Sequence, residues 1–527
     1  MKSANQSKIS DFSKIRKFEK STRGDFDNLG YNPTFKSSAI FFCICKNYIN
    51  TKISFLNYWS IKNRNSNVTC MYTLRDENGK KIYRKFFEVK ENIYSFSIKK
   101  ILEEKLQIKD FIGSIEFEIF SNFDLKFSYP AINAIYETDH GISLIHTNQR
   151  IMSEIQDNSE NESLNTLQTG FDIYCDKKNY SFLTAINGPI EIKNKKVKIN
   201  FFNHKGQKLN KNVYYKSIKP FQVLMINLDN FKDLHKFLNN YKGFCKVDVP
   251  TKYIFNRILA GTFSRDKKKI TTTHSYYDCS NTKDFVKTQD NDDYSCSVPF
   301  NLIKGIDLEI VIYPIFSKCN IEFDLEKFSQ NGERQIIKKN ILKINKNFKK
   351  PLNLLVNNYI KNDKNFSDFV YSLSGKTNNH KIPARMTYGF NYKENSFGSN
   401  ICDSMRINIR NKNKNGKRKN FYWGPVFNSK KIETVLALCS LNKDFKIKSD
   451  EVKLKIYDKE KILFLKKFKI NTFEAKNINI NKYMRSYKKK SLNEILWFTL
   501  ESSSQKNFTC KHVHRSSHGH ISADHSF

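Results

Sequence analysis

Short stretches in which apolar and polar residues alternate recur along the whole chain. Ile115, Phe117 and Ile119, for example, alternate with Glu116 and Glu118. A period of two places the apolar side chains on one face of a β-strand and the polar ones on the other. Because antiparallel sheets bury one face and leave the other in water, this pattern predicts sheets of that kind.

A hairpin pattern of strand, short turn and strand recurs four times. Asp, Asn and Gly in such turns supply left-handed backbone and local side-chain hydrogen bonds. The first three turns contain a glycine at a spacing of 127 and then 126 residues, and the fourth has none. The four predicted turns are Asp76–Gly79, His204–Gly206, Ser329–Gly332 and Asp458–Lys461.

The segments after each hairpin keep the same order. A further strand is predicted, then a loop that could hold a short helix, then an apolar or alternating strand. This order predicts a mainly β fold of about four tandem antiparallel β-sandwich modules with short helices in loops. The strands predicted directly after the hairpins are Tyr94–Ile98, Val223–Leu228, Ile341–Ile344 and Asn477–Ile480.

Polar connectors divide the 527 residues into units. The connectors are acidic at Ser153–Gly170, polar at Asn281–Asp293, and basic and Asn-rich at Arg406–Lys419. The expected division is a disordered basic tail over 1–37, then modules over 38–150, 170–280, 292–404 and 420–527.

One position near the end of each module recurs. His146, His274 and His525 each follow an Ile by four residues, and 128 residues separate the first two. Cys402 follows His274 by the same 128 residues and is assigned to the third copy of this position. We expect either strand-end residues inherited by duplication or a ligand or inter-module contact site used several times over. His and Cys also bind soft metals, so four such positions could hold one ion if the modules closed into a ring.

The C-terminal segment is dense in metal-ligand residue types. A transition metal such as zinc could be held by about three of these residues, although no zinc-finger spacing is present. The alternative is a polar loop and strand edge, and no cofactor is then expected. The candidate ligands are Cys510, His512, His514, His518 and His520.

The formal charge of +39 has two explanations. It could serve an anionic partner such as nucleic acid, an acidic glycan or another polyanion. It could also reflect AT-rich coding, because Lys far outnumbers Arg and a dedicated phosphate reader would carry more Arg.

Eleven cysteines without framework spacing, a polar N-terminus and no apolar run of about 18 residues predict a cytoplasmic protein with reduced thiols and no transmembrane segment.

Two segments resemble known families. The order of hairpin and strands around Val68–Gly79, and the strand ending at Ile142–Arg150, is similar to the sensory rhodopsin transducer family and to immunoglobulin-like modules in general. The resemblance implies symmetric assembly and non-catalytic binding, with four copies in one chain imitating a tetramer.

Three functions are compatible with these patterns. The first is a non-enzymatic binding or scaffolding protein, whose ligand is a glycan or another protein. The second is a basic protein that binds nucleic acid or another polyanion. The third is a metal-dependent enzyme that uses the C-terminal histidines. The usual nucleophile-elbow, Walker and zincin motifs are missing from the sequence, which disfavours the enzyme without excluding it.

Overall fold

The protein is described by a computed structural model, which is dominated by antiparallel strands. No helix in the described part of the chain is long and apolar enough to cross a membrane. The structure describes residues 34–125, 129–146, 149–152, 167–280, 285–288, 294–360, 365–394, 398–407, 420–441, 449–484, 493–502 and 508–527. The predicted tail lies outside these ranges except at its end, because the first strand already begins at Phe35.

The strands fall along the chain into four groups, and we call each group a module. Module 1 contains β1 Phe35–Cys45, β2 Ile49–Leu56, β3 Thr69–Asp76, β4 Lys81–Glu88, β5 Ile93–Ser97, β6 Phe111–Ser121, β7 Ile132–Thr138, β8 Gly141–Ile145 and β9 Arg150–Ile151. Module 2 contains β10 Gln168–Thr169, β11 Asp172–Ile173, β12 Asn179–Ile186, β13 Ile192–Phe202, β14 Lys208–Ile218, β15 Val223–Asn227, β16 Gly243–Asp248, β17 Ile254–Phe255, β18 Leu259–Ser264, β19 Ile270–His274, β20 Tyr276–Tyr277 and β21 Phe285–Lys287.

Modules 3 and 4 continue the same series. Module 3 contains β22 Cys296–Phe300, β23 Asp307–Ile312, β24 Ile321–Phe328, β25 Arg334–Ile344, β26 Leu352–Leu355, β27 Val370–Lys376, β28 Lys381–Pro383, β29 Thr387–Lys393, β30 Ser399–Ser404 and β31 Arg406–Ile407. Module 4 contains β32 Phe421–Phe427, β33 Ile432–Ser440, β34 Ser449–Tyr457, β35 Ile462–Asn471, β36 Ala475–Asn479, β37 Ile495–Ser502, β38 Phe508–Ser516 and β39 Ile521–His525.

Short helices occupy the loops. One of them, α3, falls in the stretch where apolar residues at helical spacing predict a helix, and it buries Leu234 and Leu238. The α-helices are α1 Tyr58–Ile61, α2 Ile98–Ile101, α3 Lys232–Leu238, α4 Asn357–Ile360 and α5 Ile480–Met484, with a π-turn at Leu102–Leu106 and 3-10 turns at Leu228–Asn230 and Phe366–Asp368.

Every module repeats one topology of two antiparallel sheets. The outer sheets have the orders β1-β6-β3-β4, β10-β16-β13-β14, β22-β27-β24-β25 and β32-β37-β34-β35, with β20 and β31 added to the second and third. The inner sheets have the orders β5-β2-β7-β8, β15-β12-β18-β19, β26-β23-β29-β30 and β36-β33-β38-β39. The predicted fold class of tandem β-sandwich modules is therefore confirmed.

One predicted strand of module 3 was placed wrongly. Ile341–Ile344 is the end of the long hairpin strand β25, whereas the strand that matches β5, β15 and β36 in sheet order is β26. The apolar residues Ile341 and Leu342 fit either strand, so alternation alone could not distinguish them.

The recurring hairpin tips dock each module onto the next. The tip of module 1 meets module 2, where the Val223 amide donates to the Glu77 carbonyl and Gly79 lies against the Pro220 carbonyl. Gly79 has a φ of +82°, and a side chain there would overlap Pro220. The glycine of this turn therefore serves both the backbone and the contact.

The other three tips make the equivalent contact. Gly206 of module 2 packs against Lys349 of module 3, and Gly332 of module 3 packs against the Phe473 ring of module 4. The tip of module 4 returns to module 1, where the Asn92 amide donates to the Lys459 carbonyl over 2.8 Å. The four modules thus close into a ring.

The inner sheets meet at the centre of this ring. Strands β8, β19, β30 and β39 contact one another in that cyclic order, and β39 returns to β8. The Ser143 and Thr272 hydroxyls lie 2.9 Å apart across the first of these contacts. One buried apolar cluster runs through modules 1, 2 and 4, and a second joins module 3 to modules 2 and 4. The modules therefore share apolar cores and are not arranged as separate units along a string.

Candidate functional site at the centre of the ring

Three histidines from three modules converge at the centre of the ring. They are His146, His274 and His525, and one nitrogen of each ring lies within 4.8 Å of the others. The His146 ring centre lies 5.0 Å from that of His274 and 4.2 Å from that of His525. His146 and His274 are buried, and His525 is half-buried. We call these residues the histidine triad.

The strand register shows that the histidines occupy equivalent positions, and it identifies the residue at that position in module 3. His274 pairs with Leu259, and His525 pairs with Lys511, at the ends of their hairpins. In module 3 the equivalent pair is Thr387 with Ser404. The residue that follows each of them donates its backbone amide to a carbonyl of the neighbouring strand or the residue beside it. These donors are Ser275, Ser526 and Met405.

The assignment of Cys402 to this position is therefore corrected. Cys402 lies two residues earlier on β30, is buried, and packs close to Gly170 rather than among the histidines. Ser404 holds the fourth position, and its side chain is exposed. The ring centre thus has three imidazoles and one corner without one.

Each histidine of the triad has its Nδ1 held by an oxygen atom. His146 Nδ1 lies 2.8 Å from Asp524 Oδ2, His274 Nδ1 lies 3.1 Å from the Ser275 carbonyl, and His525 Nδ1 lies 3.3 Å from the Ser526 carbonyl. A carbonyl or carboxylate accepts a proton, so these contacts fix the Nδ1–H tautomer and leave Nε2 as the basic nitrogen of each ring.

Burial keeps the triad neutral. It lowers the pKa of His146 to about 3 and lowers the pKa of His274 and His525, with Arg257 and the neighbouring histidines adding to the effect. Burial raises the pKa of Asp524. The contact between His146 and Asp524 at neutral pH is therefore a hydrogen bond from a neutral ring.

Charged residues surround the triad, and sequence reasoning did not single them out. Lys511 is buried, which lowers its pKa although Asp403 opposes the shift, and its Nζ lies 4.4 Å from the centre of the Phe390 ring. Arg257 lies over the Tyr276 ring. Asp524 reaches His146 because β39 packs against β8. No local sequence pattern predicts this contact between modules 4 and 1.

The five C-terminal candidates do not converge on one point. His512 and His514 alternate on β38, with His512 Nδ1 2.9 Å from His514 Nε2, and the Thr434 hydroxyl lies 3.1 Å from His514 Nδ1. Cys510 is buried on the same strand.

The remaining two C-terminal histidines lie in the turn before β39 rather than on a strand. His518 stacks on the ring of His140 at 4.4 Å, and His520 is buried against Gly141 of module 1. These residues contribute to the contact between modules 4 and 1, with His520 buried and His518 exposed.

A second repeated feature lies at the outside of the ring. The last strand of each outer sheet, β4, β14, β25 or β35, pairs with one neighbour only among the described residues. We call these four the outer-edge strands. They contain 8, 11, 11 and 10 residues, long enough to pair with a further strand.

The outer-edge strands combine positive charge with exposed apolar side chains. Three basic residues and one acidic residue lie on β4, while β14, β25 and β35 carry three, four and three basic residues and no acidic one. Large apolar side chains exposed on these strands are Phe86, Tyr214, Ile336, Ile462 and Leu465.

Comparison with known proteins adds little beyond the fold class. No protein-family model and no curated protein matches the chain, so the resemblance to the sensory rhodopsin transducer family stays a prediction. Among solved structures, the chain is similar to a "tetra-tandem repeat in extending region of large adhesion protein", at 8% identity and a TM-score of 0.10, over 87% of this chain and 91% of that one. It is also similar to trypsin-activated alpha-2-macroglobulin from Escherichia coli, at 8% identity and a TM-score of 0.12, over 90% of this chain and 30% of that one. These scores are too low to support any inference, and the tandem β modules follow from the sheet topology alone.

Proposed function

We propose that the chain is a non-enzymatic scaffolding protein that binds extended, acidic segments of a partner protein along its outer-edge strands. The observation that carries this proposal is the fourfold repetition of a long, basic edge strand with exposed apolar side chains. The repeated edge would give one chain four similar binding sites.

The sequence is compatible with either a glycan or a protein as the ligand. The chemistry of the outer-edge strands favours a polypeptide. Unpaired backbone N–H and C=O groups recognise another strand by β-augmentation, and alternate side chains give specificity. Lysines on an edge discourage pairing between copies of this chain because like charges repel. A partner strand with acidic residues would escape this repulsion and gain from the basic side chains.

A cytoplasmic location is part of the proposal. The eleven cysteines are all buried and the described residues contain no disulfide, which is usual in a reducing compartment.

The test is binding of a fluorescent peptide of alternating glutamate and valine, about ten residues long, measured by anisotropy. Lys338→Glu/Lys339→Glu reverses two exposed charges on β25, and Lys177→Glu/Lys178→Glu reverses two exposed charges away from the outer-edge strands. We expect the first variant to reduce the stoichiometry from about four to about three peptides per chain, and the second to leave it unchanged. Unchanged binding in both variants would contradict the proposal.

The second candidate function is binding of nucleic acid or another polyanion, which the same basic strands favour. Its signature is an affinity that falls steeply with salt and depends on net charge rather than on position. Equal loss of binding in the two double variants, together with tight binding of single-stranded DNA, would favour this candidate.

A further inference from the structure

The histidine triad has the composition of a transition-metal site. Three neutral imidazoles offer Nε2 atoms in a largely buried space, and the hydrogen bonds of these rings among the described residues involve Nδ1. Zinc and similar divalent ions favour imidazole nitrogen, and three protein ligands leave a fourth position for water.

The atoms behind the triad match what metal-bound histidines require. A histidine ligand usually donates its other ring N–H to a carboxylate or a backbone carbonyl, which orients the ring and makes the ligating nitrogen more basic. All three rings do so here, to Asp524, the Ser275 carbonyl and the Ser526 carbonyl. Three histidines packed only as core residues would not need an oxygen acceptor at the same nitrogen in each.

The distances between the rings allow an ion after a small contraction. Zinc holds nitrogen ligands at about 2.0–2.1 Å, so tetrahedral ligand atoms lie about 3.3 Å apart. The triad atoms lie within 4.8 Å of one another. Rotation of the His525 side chain, which is half-buried, supplies the freedom to close this difference.

The missing fourth imidazole leaves the open coordination position. Ser404 holds the equivalent position in module 3, and its exposed side chain supplies no imidazole at this corner. We infer that His146, His274 and His525 bind one divalent ion of the zinc type, with water as the fourth ligand, and that this ion links modules 1, 2 and 4.

The test uses the full chain, stripped with chelator and then reloaded with Zn²⁺ or Co²⁺. We expect about one equivalent of zinc per chain by elemental mass spectrometry, and visible Co²⁺ bands typical of a four-coordinate site. His274→Gln should abolish both signals, whereas His380→Gln, which changes an exposed histidine outside the triad, should keep them. Asp524→Asn should weaken metal binding roughly tenfold, because it changes the acceptor behind His146.

Three results would overturn the inference. The first is wild-type protein that takes up no stoichiometric metal, the second is a His274→Gln variant that loads like the wild type, and the third is Co²⁺ bound with the pale spectrum of a six-coordinate site. Because the Co²⁺ spectrum is recorded on the wild type, it decides the question even if a variant fails to fold. None of these readouts depends on peptide binding, so this inference and the proposed function fail separately.

Discussion

At the scale of single residues, the unusual feature is the number of histidines buried without charge. His146, His514 and His520 are buried, and burial lowers their pKa values to about 3, about 3 and about 4. An unfolded histidine has a pKa of about 6.5. The folded protein therefore binds fewer protons than the unfolded chain in mildly acidic solution.

The metal-free protein should lose stability as the pH falls below about 6.5. Above that pH both states are neutral at these histidines and their contribution to stability is fully present. Below it the unfolded chain takes up protons, and each histidine lowers the free energy of unfolding by about 1.4 kcal/mol per pH unit until its folded pKa is reached. Asp524, whose pKa burial raises, contributes with the opposite sign but as a single group. Urea unfolding midpoints at pH 7.5, 6 and 5 measure the effect, and midpoints independent of pH would contradict it.

The sequence pattern predicted the three histidines of the triad, but it assigned the wrong residue to the fourth position. The repeated Ile and His at fixed spacing gave His146, His274 and His525. In module 3 the count failed, because Ser404 lies 72 residues after Gly332 whereas His274 lies 68 after Gly206. A few additional residues in loops change the spacing along the chain but not the place of a residue in the sheet. The equivalent residue, Ser404, is therefore identified by the hydrogen-bond register and not by counting.

At the scale of elements, the hairpin tip is the part that joins modules. Turn chemistry predicted Gly79, Gly206 and Gly332 from the sequence, since a left-handed backbone favours glycine. The contacts of those tips with the following module could not be predicted, because they depend on partners such as Pro220, about 140 residues away in the chain. Local patterns specify the strands, whereas the docking of modules depends on distant pairs.

Gly79→Ala should destabilise the protein much more than Gly305→Ala. Both glycines have similar φ angles, +82° and +78°, so both variants incur the cost of about 1 kcal/mol for a left-handed alanine. At Gly79 the new Cβ would also lie 2.0 Å from the Pro220 carbonyl oxygen, whereas at Gly305 its nearest neighbour is the flexible Arg515 side chain at 3.5 Å. Thermal unfolding of the two variants compares them directly. Equal losses would show that the tip does not depend on its contact with module 2.

At the scale of the whole molecule, the decisive feature is closure of module 4 onto module 1. Trp497 Nε1 donates to the Ser54 hydroxyl over 2.8 Å, and Lys52 pairs with Glu494. Tyr58 stacks on Trp423 with ring centres 5.2 Å apart. Module 4 also contacts module 3, where the Phe328 and Phe473 rings stack at 5.6 Å. Module 4 is therefore held from both sides.

Cutting the chain between modules 3 and 4 should not release module 4. A protease site inserted between residues 408 and 419, within the predicted basic connector Arg406–Lys419, would cut the backbone, but the contacts with modules 1 and 3 would remain. We expect two fragments on a denaturing gel that migrate together in native size-exclusion chromatography, with the uncut protein as control. Separate elution of the C-terminal fragment would indicate that the ring does not hold together without the covalent link.

Four modules in one chain can diverge where four identical subunits cannot. In a homotetramer a single mutation alters the central position in every copy, so a fourfold axis admits four histidines or none. Here a change at Ser404 leaves His146, His274 and His525 untouched. Because the four copies lie in one chain, each can change separately, so the centre of the ring can hold three histidines beside one serine.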